Sequence, residues 1–210
     1  MSSHYHLKYD TTDNTLHQPL FQQFNQSKHC LELPKNELKK NQFILGRKLL
    51  ADLSGLPFNR LLSNELFAFN SLGKPTLKKS NAFFFSIAHS DKHVVVATSQ
   101  SNIGADIEQY KLINPKRFHR AFSTKEWDYL MSLDEAKQAY TALKLWTIKE
   151  AVLKAIGVGL PGNPKSVEID LVTFKSAKRY DQQFTLFDHS TTDYLLSVAL
   201  ETNQTKDTYD

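Results

Sequence analysis

The chain has 210 residues, of which 26 are Lys or Arg and 22 are Asp or Glu, so its formal net charge is +4. Hydrophobic residues make up 40% of the sequence and charged residues 23%, proportions that argue against wholesale disorder. A net positive charge of this size permits an acidic partner without requiring nucleic acid. No apolar run reaches the roughly 18 residues needed to cross a bilayer. The single cysteine, Cys30, excludes an internal disulfide and a zinc–thiolate cluster.

Residues 1–30 are polar and weakly patterned, and the sequence assigns them no function. They lack the apolar stretch of a secretory signal, and a single cysteine suits a reducing compartment. We therefore expect a cytoplasmic protein that binds neither membrane nor nucleic acid.

Helical spacing of leucines predicts a helix from Pro34 to Leu53, with Gly55 as its C-terminal cap. A short strand at Leu66–Phe69 and a turn at 71–75 follow. Two buried strands are predicted next, joined by a turn that contains His89 and Ser90, and a third strand comes after them: Ala82–Ile87, Val94–Ser99 and Ile103–Glu108.

Ser123 and Glu126 form the pattern of a capping box at the start of a helix. A longer helix is predicted over Glu135–Ile156, and Gly157 and Gly159 end it. Three further strands and a loose C-terminal tail complete the predicted elements: Val167–Phe174, Gln183–Phe187, Tyr194–Leu200 and the tail at about 201–210.

This order of elements predicts an α+β protein with two similar halves, each a helix packed on a small, mainly antiparallel sheet. We place the first half at residues 1–104 and the second at 105–210, with a site at their junction.

Two basic segments flank an acidic pair. Residues 34–60 hold six basic and two acidic side chains, and residues 111–126 hold five basic side chains and one acidic side chain. Between them, Asp106 and Glu108 are two apart on a predicted strand, so both carboxylates face one way, roughly 6.5 Å apart along the strand. Such a pair suits Mg²⁺, although taken alone it is more typical of charges at an exposed strand edge.

Glu150 and Lys154 lie one turn apart on the long helix, which is the spacing of an ordinary surface ion pair. Their neighbours are apolar, however, and a metal–phosphate ligand would give both groups a partner. His89 and Ser90 follow a very apolar strand, where the histidine could donate to a phosphate or serve only as a turn residue.

Several motifs taken together resemble the 4′-phosphopantetheinyl transferases, in order and spacing. They are Gly73–Pro75, Phe85–Ser90, Ile103–Glu108, Phe122–Trp127 and Trp146–Leu160. The chain length resembles the larger, surfactin-synthetase-activating (Sfp) type.

The resemblance implies an enzyme that moves the phosphopantetheine arm of coenzyme A onto a serine of an apo carrier protein. It implies two halves related by a pseudo-twofold axis, and a monomer. It also implies Mg²⁺, with Mn²⁺ as a substitute, bound by Asp106, Glu108 and Glu150. The carrier could serve fatty-acid, polyketide or another biosynthesis.

Glu150 and Lys154 are then the catalytic candidates, because the lysine assists the leaving group and the glutamate is one candidate base. Water on the metal is the other. The residues implied to bind coenzyme A are Arg47, Lys74, Pro75, His89, Ser90, Asp106 and Lys154. Ala88 replaces a serine that is common in the family, so one contact is missing and weaker coenzyme A binding is expected.

The basic segment 111–125, with its interleaved aromatic residues, could dock an acidic carrier protein. For Phe122 and Trp127, however, the helical spacing favours a place in the core. The main alternative from another class is a non-catalytic module that binds coenzyme A or a carrier domain.

Overall fold

The computed structural model describes residues 5–26, 33–78, 83–111 and 113–202. The helices are α1 (Gln18–Gln26), α2 (Glu37–Ser54), α3 (Phe58–Leu62), α4 (Thr124–Met131) and α5 (Glu135–Ile156). The strands are β1 (Tyr5–Thr11), β2 (Phe67–Phe69), β3 (Pro75–Leu77), β4 (Phe84–Ser90), β5 (His93–Ser99), β6 (Ile103–Gln109), β7 (Glu168–Ile169), β8 (Ser176–Arg179), β9 (Gln182–Asp188) and β10 (Tyr194–Glu201). This mixture of helices and antiparallel sheets confirms the α+β class.

The first half is built on a three-stranded antiparallel sheet in the order β1–β5–β4, with α2 packed against it. Asn36 caps α2, since its side-chain oxygen accepts a hydrogen bond from the amide of Lys39. Gly55 ends the helix with a φ of 70°, a conformation that favours glycine. The predicted helix therefore exists, although it begins at Glu37 rather than at Pro34.

The second half is a five-stranded antiparallel sheet in the order β6–β10–β9–β8–β7. The long helix α5 lies across β6 and β10, and Gly157 caps it with a φ of 86°. The capping box at Ser123 and Glu126 is present at the start of α4. The predicted bounds of α5 are those of the structure.

The two halves meet where β4 lies beside β6. The amide of Ala105 donates a hydrogen bond to the hydroxyl of Ser86, at 3.0 Å. One apolar cluster is shared between the sheets and includes Ala88, Val95 and Ile107. The hydrogen-bonded sheets divide between β5 and β6, and the assignment of residues 1–104 and 105–210 to two halves stays a prediction.

Several elements differ from those predicted. Strand β1 and helix α1 form within residues 1–30, where the sequence shows no pattern. β7 spans two residues rather than 167–174, and β4 continues through Ser90. His89 and Ser90 are therefore strand residues and not turn residues, because both pair with β5. β10 includes Glu201, and the predicted tail lies outside the described residues from 203 onward.

Among the described residues, no helix is both long enough and apolar enough to span a membrane.

Candidate active site

A cavity of about 560 Å³ opens between the two halves. Its walls come from α2, β4, the turn between β2 and β3, and the last turn of α5. Five cationic or titratable basic side chains line it: Lys39, Arg47, Lys74, His89 and Lys154. A cavity with this lining suits a ligand that carries several negative charges.

Arg47 is the most enclosed of these cations, with 7% of its surface exposed. Its guanidinium lies 4.3 Å from the ring centre of Phe67 and 4.9 Å from that of Phe43. One nitrogen donates a hydrogen bond to Asn64 at 3.2 Å, and Nε has no partner in the structure. Burial lowers the pKa of Arg47 to about 10, so the group stays charged at neutral pH.

Lys74 lies in the turn between β2 and β3, and its ammonium donates to the carbonyl of Ala155 at 2.8 Å. Burial lowers the pKa of Lys74 to about 8. Asn70 fastens the same turn to α5, since its side-chain amide donates to the carbonyl of Gly157 at 2.8 Å. Pro75 lines the cavity beside Lys74. The turn is thus held against the end of the helix.

His89 and Ser90 are neighbours on β4, and they face different groups. His89 lines the cavity. Burial lowers the pKa of its imidazole, and the charge of Lys154 lowers it further. Ser90 donates its hydroxyl to Glu108 at 2.9 Å and accepts from the amide of Gln109 at 3.2 Å. Ser90 therefore contacts the acidic strand rather than the wall of the cavity.

Ala88 is buried in the apolar cluster shared by the sheets and is not among the residues that line the cavity. The expected weakening of coenzyme A binding by Ala88 stays a prediction.

Asp106 and Glu108 project from β6 close to Glu150 on α5. The exposed fractions of Asp106 and Glu150 are only 5% and 8%. Burial, more than the charge of Glu108, raises the pKa of Asp106 to about 6, against the opposing effect of Lys154. Burial and then the charge of Asp106 raise the pKa of Glu150 to about 7. Asp106 and Glu150 are therefore enclosed, whereas Glu108 is half-buried.

Lys154 bonds to Asp106, with 2.6 Å between Nζ and Oδ1. The i, i+4 spacing indicated Glu150 as its partner, and no ion pair joins these two described residues. Since α5 packs on β6, Asp106 comes closer to the ammonium than the carboxylate on the lysine's own helix does. The sequence could not indicate this partner, because the two residues are 48 positions apart.

Two carboxylate oxygens in this cluster are buried without a hydrogen-bond partner, Oδ2 of Asp106 and Oε1 of Glu150. Orphaned oxygens of carboxylates are suitable ligands for a hard divalent cation. In this arrangement, however, no group of three or more His, Cys, Asp or Glu side chains in the described chain could hold a metal ion. The chemistry of the donor set fits a cation, while the present geometry satisfies Asp106 with an ammonium.

Another cavity, of about 340 Å³, opens to solvent beside Glu108. Glu108 forms part of its wall, together with Ser90, Gln109, Lys111, Ile113, Phe118, Leu143 and Trp146. Glu150 lies on α5 one turn from Trp146 and one turn from Lys154. Glu108 thus lines a mixed apolar and basic groove, while Lys154, the partner of Asp106, lines the cationic cavity.

Phe122 is buried and belongs to the core of the second half, and Trp127 is half-buried against it. Sequence reasoning missed Lys39, Phe43 and Asn70. A signal for Asn70 was present, since asparagine three residues before glycine is typical of a turn that the asparagine side chain closes.

Residues 102–199 match the family model of the 4′-phosphopantetheinyl transferase superfamily. The match covers just under half of the chain. The matched segment includes β6 and α5, and so contains Asp106, Glu108, Glu150 and Lys154. Arg47, Lys74 and His89 lie outside it.

Individual relatives agree with the family match. The 4′-phosphopantetheinyl transferase gsp of Aneurinibacillus migulanus is 37% identical over 117 residues, which are 56% of this chain and 47% of the relative. The 4′-phosphopantetheinyl transferase Sfp of Bacillus subtilis is 31% identical over 117 residues, which are 56% of this chain and 52% of the relative.

The human L-aminoadipate-semialdehyde dehydrogenase-phosphopantetheinyl transferase is 32% identical over 142 residues, and the match covers 61% of this chain and 45% of the relative. The chain thus spans about half the length of the curated relatives it matches. The similarity to gsp and Sfp confirms the resemblance indicated by the motifs.

Proposed function

We propose that this protein transfers the 4′-phosphopantetheine group of coenzyme A to a serine of an apo carrier protein. The observation that carries the proposal is that Lys154 lines a cationic cavity and bonds to Asp106, while Glu108 on the same strand as Asp106 lines an open groove. The cavity would hold the phosphates of coenzyme A, and the groove would admit the carrier serine. The carboxylates would then act on the bond between the two.

The cations of the cavity account for binding. Arg47 has an unpartnered Nε in a buried site, so a phosphate oxygen would satisfy it. Lys74, His89 and Lys39 line the same space and would share the remaining phosphate charge. The family match and the relatives named above support coenzyme A as the donor.

The transfer would form a bond between the serine oxygen and the β-phosphorus of coenzyme A. The bond from that phosphorus to the oxygen of adenosine 3′,5′-bisphosphate would break. The serine proton would pass to Glu150, the candidate base on α5. Lys154 would neutralise charge on the departing phosphate.

Asp106, Glu108 and Glu150 are the residues that would hold Mg²⁺ or Mn²⁺. When bound, the cation would neutralise charge on the diphosphate. The two orphaned carboxylate oxygens support this assignment.

We infer that the carrier protein is acidic and approaches the groove beside Trp146. Lys111 lines this groove, and Lys116, Arg117 and Arg120 are exposed in the adjoining segment. Acidic surface on the partner would complement these charges.

The test incubates the protein with coenzyme A, Mg²⁺ and several apo carrier proteins, and follows the carrier by intact mass. We expect one phosphopantetheine group to be added. Replacement of Glu150 by Gln should lower the rate at least about a hundredfold, because a positioned base contributes roughly 10²–10⁴-fold.

The exposed Glu135 on the same helix supplies the matched control, and Glu135→Gln should retain the parent rate. Full activity of Glu150→Gln would remove Glu150 from the chemistry. Binding of coenzyme A without modification of any carrier would favour a non-catalytic module.

A further inference from the structure

The acidic cluster in this protein already contains a cation of its own. Three carboxylates approach one another, and two of them are more than nine-tenths buried. Such a group is unstable without positive charge nearby, because burial removes the water that would screen the repulsion. Lys154 supplies that charge by direct contact with Oδ1 of Asp106 at 2.6 Å.

Lys154 is also part of the cationic cavity. Its side chain is 30% exposed, whereas that of Asp106 is 8% exposed. A lysine side chain is long and can swing about several bonds, so its ammonium has two environments within reach. One is the carboxylate of Asp106, and the other is whatever anion occupies the cavity.

A divalent cation on the same carboxylates would be repelled by the ammonium. Both positive groups would compete for Oδ1 of Asp106, while Oδ2 of Asp106 and Oε1 of Glu150 remain unpartnered. In the arrangement observed, no group of acidic side chains among the described residues could hold a metal ion. Movement of the ammonium away from Asp106 would free Oδ1 for the cation and remove the repulsion between the two positive groups.

We propose that Lys154 is an internal counter-ion that competes with the divalent cation for Asp106 and is drawn away by phosphate bound in the cavity. The cation and the phosphate ligand then bind cooperatively, because each favours the displaced position of the same lysine. The coupling is reciprocal, so either ligand strengthens the binding of the other by the same factor. The inference rests on the proposed function in taking coenzyme A as the source of the phosphate and the three carboxylates as ligands of the cation.

The test measures binding of Mn²⁺ to the free protein by electron paramagnetic resonance, without carrier protein or turnover. Lys154→Met removes the competing charge and keeps a flexible chain of similar length. We expect it to bind Mn²⁺ at least about fivefold more tightly than the parent, and Lys154→Gln should behave in the same way. An affinity equal to or weaker than that of the parent in both variants would overturn the proposal.

The matched control is Lys144→Met, since Lys144 lies on the same helix and pairs with Asp188 at 2.6 Å. Its Mn²⁺ affinity should equal that of the parent. In an Asp106→Asn background, Lys154→Met should no longer tighten Mn²⁺ binding, because the oxygen under competition is gone. A gain that persists in that background would show a general charge effect and contradict the role of Asp106.

A second arm adds adenosine 3′,5′-bisphosphate as the phosphate probe. It should strengthen Mn²⁺ binding in the parent more than in Lys154→Met, and equal strengthening in both proteins would refute the coupling. Failure of the transferase assay would leave these binding results intact. Absence of competition, conversely, would not affect the transferase assay, so the two proposals fail separately.

Discussion

Arg47 and Lys74 line the same cavity, and burial there lowers the pKa of each. Both lose hydration to burial, and the pKa of Arg47 falls to about 10 while that of Lys74 falls to about 8. Guanidinium delocalises its charge and begins from a higher pKa, so it stays protonated throughout the physiological range. The ammonium of Lys74 approaches the range in which it loses its proton, which makes Lys74 the pH-sensitive cation of the two.

Coenzyme A affinity is therefore predicted to fall as the pH rises above about 8. Only the protonated form of Lys74 can neutralise a phosphate, and its folded-state pKa of about 8 marks where that form declines. Calorimetric titration with coenzyme A from pH 6.5 to 9.5 measures the effect. We expect the dissociation constant to rise towards about tenfold per pH unit at the upper end.

Lys74→Met provides the control for this pH dependence. It should bind coenzyme A more weakly at pH 7 and show a flatter profile, because the titrating group is absent. A parent profile that is equally flat would show that Lys74 does not contact the ligand or that it stays charged.

At the scale of elements, Gly104 sets the distance between β6 and α5. A Cβ at this position would lie 1.9 Å from the carbonyl oxygen of Ala151 and 2.4 Å from the amide nitrogen of Ala155. Both are backbone atoms of a packed helix, so they cannot move aside as a side chain can. The close approach made possible by glycine brings Asp106 within reach of Lys154.

Gly104→Ala should therefore force the strand and helix apart and destabilise the fold by about 3 kcal/mol or more, at or above the usual cost of overpacking. Urea unfolding followed by circular dichroism measures the loss. Gly46→Ala is the comparison, because its Cβ would meet a movable side-chain carbon of Ile87 at 2.9 Å. Equal losses in the two variants would contradict the argument from helix backbone.

A second feature of this region is the fully buried ion pair between α4 and α5. Lys149 lies 2.8 Å from Glu126, and its ammonium also donates to the carbonyls of Pro164 and Val167. Burial lowers the pKa of Lys149, and Glu126 opposes that shift. Because Glu126 closes the capping box of α4, the pair ties that helix start to the residue before Glu150.

Lys149→Met should cost about 3–5 kcal/mol, since it leaves the Glu126 carboxylate buried without its cation. Thermal and urea unfolding measure the change. The double variant Glu126→Gln with Lys149→Met should be less destabilised than the sum of the single variants. Additive losses would show that the two groups do not stabilise each other.

At the scale of the molecule, the second half places basic side chains beside the open groove. Lys116 and Arg117 are exposed on the 3-10 helix at residues 115–121, which packs against α5. Charges at the rim of an interface act mainly on the rate of encounter rather than on contacts in the complex. The effect should decline as salt screens the field.

Reversing both charges, with Lys116→Glu and Arg117→Glu, should slow association with an acidic carrier about tenfold at low salt. Stopped-flow kinetics from 20 to 500 mM NaCl measure the rate, and the difference from the parent should shrink as salt increases. Lys178→Glu, at an exposed site on β8, is the control. Association rates that do not depend on salt in either protein would argue against steering.

The sequence by itself determined the local features of this protein. The bounds of α5, the capping box at Ser123 and the cap at Gly55 follow from contacts within a few residues, so short patterns contain them. The polar stretch before residue 30 gave no comparable signal, because β1 depends on pairing with β5, nearly ninety positions away.

Tertiary structure decided which groups meet. Spacing along α5 indicated Glu150 as the partner of Lys154, but the approach of β6 at Gly104 makes Asp106 the partner. Ser90 contacts Glu108 rather than the cavity because β4 continues beside β6. Burial also raises the pKa values of Asp106 and Glu150, and burial depends on the packing of whole elements. Interactions between distant segments therefore set the chemistry of the site, since charge and hydration depend on distance in space and not on separation along the chain.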